Sequence, residues 1–217
     1  MLSVRDLTFR YGPDAPVMRF PEFDCPPGDR LLILGASGSG KTTLLHLMSG
    51  LLRPSSGHIE VAGSSLSGLS GKALDRFRGR QIGIVFQRPH FVASLTVLEN
   101  LLLPAFLAGT RPDRARALSL LTDLGVGAHA ARRPRELSIG EQQRVGIARA
   151  LVHRPAVVFA DEPTSALDDR STEAVVALLE RAAAEAGATL VIVTHDARLT
   201  SRYPRRIDLT PAPELLP

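Results

Sequence analysis

The chain has one cysteine, Cys25, and only two lysines, Lys41 and Lys72, among 26 basic residues. A lone cysteine excludes an internal disulfide framework and any multi-cysteine zinc site. No stretch reaches the ~18 consecutive apolar residues of a membrane-spanning helix. The N-terminal Met1-Leu2-Ser3-Val4-Arg5-Asp6 lacks the charged-then-apolar plan of a secretion signal, so a soluble, cytoplasmic protein is expected. The net charge is +4 and the pI near 10. The arginines are scattered as Arg76, Arg78 and Arg80, then Arg111, Arg114 and Arg116, then Arg132, Arg133 and Arg135. That spacing describes a solvated face, and no nucleic-acid partner is expected. A length of 217 residues, 44% of them hydrophobic, suits one domain with room for a subdomain.

What is present centres on Gly35-Ala36-Ser37-Gly38-Ser39-Gly40-Lys41-Thr42-Thr43. This fits G-x-x-x-x-G-K-[ST], a loop whose backbone amides cradle phosphates. The apolar run Arg30–Leu34 before it predicts a strand, and Thr42–Ser49 after it predicts a helix. Together they aim amide hydrogens and the positive end of a helix dipole at one point. Lys41 is placed to reach the β- and γ-phosphates, and Thr42 to hold Mg²⁺. Lysine at this position, in a chain that otherwise uses arginine, points to a need for a compact point charge.

The remaining candidates sit mostly at predicted strand ends, where α/β sheets present ligand groups. A first strand is expected over Leu2–Arg10, with Val4, Asp6, Thr8 and Arg10 on one face and Ser3, Arg5, Leu7 and Phe9 on the other. Tyr11 follows it, placed either to stack on a purine or to pack a turn. A second strand is expected over Val17–Phe23, broken at Pro21. A loop is expected over Gly63–Gly71, with a short helix over Lys72–Arg78. The run Ile82–Phe86 ends on Gln87, within reach of Mg²⁺ or an attacking water, or an ordinary surface glutamine. Ala156–Ala160 ends on Asp161 and Glu162, one suited to the Mg²⁺ shell and the other to polarising water. Thr189–Thr194 is expected to be the last core strand. It ends on His195, either a γ-phosphate contact or a structural residue. The stretch from Pro204 is expected to be loosely ordered.

Between Gln87 and Ala156 no strand pattern occurs. Val97–Leu107, Pro112–Leu124 and Glu141–Val152 read as helices, with an exposed apolar edge around Pro89–Leu103. Within this insert, Leu137-Ser138-Ile139-Gly140-Glu141-Gln142-Gln143 contains a capping box, Ser138 with Glu141. The helix it opens makes a second anion site. Either both anion sites grip one nucleotide or each serves a different one.

Taken together, these residues resemble the ATP-binding subunit of an ABC transporter over essentially the whole chain. Gly35–Thr42 looks like its Walker A loop, Leu137–Gln143 like its signature, and Ala156–Glu162 like its Walker B strand with a catalytic Glu162. Tyr11 corresponds to the aromatic A-loop residue, Gln87 to the Q-loop, Ser165–Asp168 to the D-loop and His195 to the switch histidine. The resemblance implies an α/β fold: a P-loop NTPase core, RecA-like and mostly parallel, with an N-terminal antiparallel β subdomain and an inserted α-helical subdomain. The core with its β subdomain would occupy 1–87 and 156–210, the helical subdomain 88–155, and a loose tail 211–217.

The resemblance also implies ATP with Mg²⁺ held by Thr42, Gln87 and Asp161. It implies a homodimer formed on ATP binding, in which Leu137, Ser138, Ile139, Gly140 and Glu141 of one copy close on the ATP of the other. Transmembrane permease subunits would dock through the Q-loop and helical-subdomain groove, placing the chain on the inner face of the cell membrane. Phe86-Gln87, Ser94–Asn100 and Asp161–Asp168 are similar to the lipoprotein-releasing, macrolide-exporting and cell-division group. That implies export or extraction of lipoprotein, lipid or peptide, or a regulatory switch on an envelope complex. Ile139 departs from the pattern, replacing the usual first glycine of the signature, and the tail lacks the usual Asp-Gly hairpin.

Overall fold

A computed structural model describes residues 1–165 and 169–210, apart from the Arg170 side chain. The expected D-loop residue Asp168 and the tail 211–217 lie outside the described residues. The N-terminal part is an antiparallel sheet of β1 (Leu2–Phe9), β2 (Met18–Arg19), β3 (Phe23–Cys25), β5 (Ser56–Val61) and β6 (Ser64–Ser65). The second sheet is parallel: β4 (Arg30–Gly35), β7 (Ile82–Val85), β8 (Val157–Asp161), β9 (Thr189–Thr194) and β10 (Arg206–Leu209), in the order β10-β4-β9-β8-β7. Helix α1 (Lys41–Met48) follows β4, and α2 (Gly71–Gln81) precedes β7. The helices α3 (Val97–Leu107), α4 (Arg114–Asp123) and α5 (Ile139–Leu151) form the insert, and α6 (Asp169–Glu185) lies between β8 and β9.

The parallel strands are apolar on both faces because each face closes a separate core. Leu31, Ile33, Phe159, Val191 and Val193 pack with Leu44, Leu45 and the antiparallel sheet. Leu32, Val158, Ala160, Leu190 and Ile192 pack with residues of α3, α5 and α6. Pairing registers place Leu34 beside Thr194, Leu209 beside Gly35, and Asp161 beside Val193. The carboxyl ends of β4, β8, β9 and β10 thus share one sheet edge, and the phosphate loop lies there.

Several expectations need correction. Strict alternation along β1 fails, because Leu2 and Val4 are buried and so are Leu7 and Phe9. The pairing of β1 with β5 shifts register between Arg5 and Thr8, where Asp6 takes φ +48°. This bulge inserts one residue and returns the later apolar side chains to the core face. Val17–Phe23 divides into β2 and the start of β3, and the expected loop over Gly63–Gly71 contains β6 and a short turn of helix. Thr189–Thr194 is not the last core strand. Arg206–Leu209, expected to be loose, forms β10 because β4 offers it an unpaired edge. The apolar edge is displaced too: Leu98 and Leu101 are buried, whereas Phe106 and Leu107 are 74% and 73% exposed.

Candidate active site

The loop from β4 into α1 needs two glycines for definite reasons. Gly40 caps α1 at φ +90°, a left-handed backbone that any side chain would strain to adopt. A Cβ at Gly35 would collide with Ser39 Oγ and lie 2.9 Å from the Leu209 carbonyl oxygen. Only a bare backbone lets the loop turn this tightly between α1 and β10. Lys41 is buried, and its Nζ donates to the carbonyls of Gly35 (2.8 Å) and Ala36 (2.9 Å). It also lies 3.6 Å from Glu162 Oε1. The Ser39 hydroxyl is buried with no hydrogen-bond partner among the described residues. With the first amides of α1, it forms a donor-rich recess suited to phosphate oxygens.

Beside the loop, the Thr42 hydroxyl donates to both oxygens of Asp161, at 3.3 and 3.2 Å. Burial pushes the Asp161 pKa up, the Thr42 hydrogen bond opposes this, and the Glu162 charge adds to it. A hydroxyl and a carboxylate side by side are hard oxygen donors of the kind Mg²⁺ accepts.

Glu162 turns out of the sheet at φ +46°, while its N–H still donates to the Val193 carbonyl (2.8 Å). Its carboxylate accepts from the Thr194 hydroxyl (2.8 Å) and the His195 backbone N–H (3.4 Å), and pairs with His195 Nδ1 (2.9 Å). This small group of contacts fixes the carboxylate at the rim of the loop. Gln87 donates from Nε2 to Ser165 Oγ (2.9 Å), which leaves its amide oxygen available to a ligand. Tyr11 is 68% exposed, with its hydroxyl 2.9 Å from Thr43 Oγ1 and its ring edge-on to Phe9.

The structure gathers Tyr11, Ser37, Gly38, Gly40, Lys41, Thr42, Thr43, Gln87, Glu162 and His195 around one open cleft of about 740 Å³. Sequence reasoning missed Pro16 and Met18, which also line it, and Thr194, which holds Glu162 from beneath. A buried threonine at the tip of an apolar strand was the available signal for Thr194.

The signature residues do not line this cleft. Ser138 caps α5 in the expected box with Glu141, and Ile139 beside it is 83% exposed. Gln143 Nε2 on α5 ties this helix to the cleft, donating to the Pro163 carbonyl (2.6 Å), one residue past Glu162.

The comparisons with known proteins agree with this arrangement. The pattern of the ABC transporter family matches residues 19–165. The lipoprotein-releasing system ATP-binding protein LolD of Chromohalobacter salexigens is 44% identical over 210 residues, covering 94% of this chain and 89% of that protein. The macrolide export ATP-binding/permease protein MacB of Rhodopseudomonas palustris is 45% identical over 186 residues, covering 85% of this chain and 28% of that longer protein. Among solved structures, a dimeric ATP-binding cassette in a post-hydrolysis state with ADP and Pi bound has a TM-score of 0.84 and 33% identity, covering 96% of this chain and 94% of that one. A phosphate-cradling loop at the edge of a parallel sheet, a helical insert and these relatives lead to one conclusion: the chain is an ATPase of the ABC transporter family.

Proposed function

We propose that the chain is the energy-coupling subunit of a membrane exporter, and that copies pair head to tail around ATP. In this reading Lys41, Ser39 and the loop amides bind the β- and γ-phosphates, and Tyr11 stacks on the base. Thr42, Asp161 and the amide oxygen of Gln87 hold Mg²⁺, which supplies charge neutralisation at the phosphates. Glu162 orients the attacking water, and His195 holds Glu162 and faces the γ-phosphate. Ser138, Ile139, Gly140 and Glu141, with Leu137 behind them, face the nucleotide of the second copy. Asp168 is assigned to the contact between copies on the resemblance alone.

The observation that carries the reading is Glu162. Its carboxylate is held by Thr194 and His195 while standing 3.6 Å from the Lys41 ammonium. A carboxylate fixed beside a phosphate-binding lysine has the geometry to direct water at a phosphorus atom.

Coupling to a permease is supported by the surface between α2 and α3. A cleft of about 460 Å³ is lined by Leu51, Ile82, Ile84, Pro104 and Leu107, with Asp75 and Arg78 also on its lining. Beside it lies a cleft of about 320 Å³ where Leu101, Leu102 and Ala105 are rimmed by Arg80, Arg111, Arg116, Arg154 and Asp113. An apolar groove with a charged margin suits a helix from a partner chain. Among the described residues no helix is long and apolar enough to cross a membrane, so attachment to its inner face would come through that partner. The names of the relatives favour release of a lipoprotein or export of a macrolide.

The test is Glu162→Gln, which keeps the side-chain shape and removes the charge. ATP binding is expected to persist, an ATP-bound dimer to accumulate on a sizing column, and kcat to fall at least ~100-fold. Near-normal turnover would remove Glu162 from this role.

A further inference from the structure

The signature serine is tied to a residue outside the motif. Glu141 divides its carboxylate between two neighbours. One oxygen accepts from the Ser138 backbone N–H (2.7 Å) and hydroxyl (2.8 Å). The other pairs with His129 Nε2 at 2.9 Å. His129 ends the one-turn helix Gly127–His129, and its backbone N–H donates to the Val126 carbonyl. Its ring is 18% exposed, and Nδ1 is buried with no hydrogen-bond partner among the described residues. A contact between imidazole and an ionised carboxylate requires a proton on the facing nitrogen, so Nε2 carries it.

This arrangement matters for the phosphate that α5 is to receive. The Ser138 proton is committed to Glu141, and the Glu141 charge sits at the helix start where further negative charge must arrive. The carboxylate is held below its ordinary pKa, first by Ser138 and then by His129, so it stays ionised. The capping box itself needs only the oxygen that faces Ser138. The second oxygen is therefore open to another role, since an N–H donor there draws charge away from Ser138.

We propose that His129 is a positioning residue for the shared ATP site, its Nε2–H holding Glu141 so that the Ser138 hydroxyl and the first amides of α5 can donate to a phosphate borne by the second copy. The proposal rests on the head-to-tail reading above. When that ATP arrives, the Ser138 hydroxyl turns its hydrogen bond from Glu141 to a phosphate oxygen, and Glu141 remains satisfied by His129 and by the Ser138 amide.

The experiment compares His129→Ala and His129→Gln, alone and in a Glu141→Gln background. Hydrolysis is read as KM against kcat, and ATP-driven dimerisation is read in the Glu162→Gln form of each. His129→Ala is expected to leave nucleotide affinity of the monomer unchanged, and to raise KM and the ATP needed for half-dimerisation roughly five- to tenfold. The kcat at saturating ATP should stay within about twofold of the parent, since the effect acts on closure. His129→Gln, which keeps an N–H donor, should recover most of the loss. With the charge of Glu141 removed, His129→Ala should add nothing. An equal loss in both backgrounds, or a loss tracking lowered thermal stability alone, would assign His129 a merely structural role and overturn the proposal. Unchanged closure in His129→Ala would overturn it too, where the parent dimerises. A parent that stays monomeric with ATP would instead remove the head-to-tail reading, and this inference with it.

Discussion

Thr194→Val tests whether the position of Glu162, rather than its charge alone, governs hydrolysis. Thr194 is fully buried at the tip of β9, and valine keeps its branching and nearly its volume. The substitution deletes the donor 2.8 Å from Glu162 Oε2 and the acceptor 3.1 Å from the Asp196 N–H. A hydrogen bond to a charged group contributes about 1.5–3 kcal/mol. If that energy serves to hold the carboxylate in its reactive orientation, then at ~1.4 kcal/mol per factor of ten kcat falls roughly 10- to 150-fold. His195 and the Lys41 charge remain, so the value should lie toward the smaller end. KM should change little, because Thr194 touches no phosphate group. Losing the partner of Asp196 N–H also costs stability of about 1–3 kcal/mol, a fall in Tm of several degrees. Phosphate release across an ATP titration, with a thermal melt on the same samples, separates the two effects. A kcat within about twofold of the parent in a folded variant would show that Glu162 needs no support from β9, and the reasoning from geometry would fail.

Three further outcomes are expected. Burial raises the pKa of Asp161, so its contribution to stability is complete below the unfolded value and lost as pH rises through the folded one. At neutral pH the carboxylate therefore weakens the nucleotide-free fold. Asp161→Asn should raise its Tm while abolishing Mg²⁺-dependent hydrolysis; a lower Tm would contradict this. Asp196 behaves oppositely: hydrogen bonds from Arg198 hold its pKa at about 2. Its stabilisation is present above the unfolded value near 4 and is lost as pH falls toward 2, so Asp196→Asn should flatten the acid limb of a stability–pH curve. Tyr11→Ala should weaken ATP binding roughly tenfold and Tyr11→Phe much less, since stacking contributes about 1–3 kcal/mol; equal losses would place the interaction in the Thr43 hydrogen bond instead.

Local signals were legible where they carried their own chemistry. The strand, glycine loop and helix around Gly35–Thr42, the Ser138–Glu141 capping box and the apolar helix Val97–Leu107 are all readable from spacing, and the structure has these elements at those positions. Features set by distant partners were not legible. Arg206–Leu209 alternates charge with apolar residues after a proline, and only the free edge of β4 makes it a strand. The bulge at Asp6 depends on pairing with β5, far along the chain. The edge expected over Pro89–Leu103 is misplaced because a linear sequence does not show that Leu98 and Leu101 pack into the core with α5, while Phe106 beyond it stays bare. Likewise, the roles of Thr194 and Ser165 exist only once Glu162 and Gln87 have been brought to them.

The strand order β10-β4-β9-β8-β7 has a consequence for biosynthesis. Both neighbours of the phosphate-loop strand come from residues 189–194 and 206–209, synthesised long after Gly35–Thr42 has left the ribosome. Closing such long loops is slow, and until it happens the loop has no sheet to hold it. Nucleotide affinity therefore requires synthesis at least as far as Leu209. During synthesis the apolar strand before the loop stays unpaired and exposed to aggregation, which makes the emerging segment around it a natural client for chaperones.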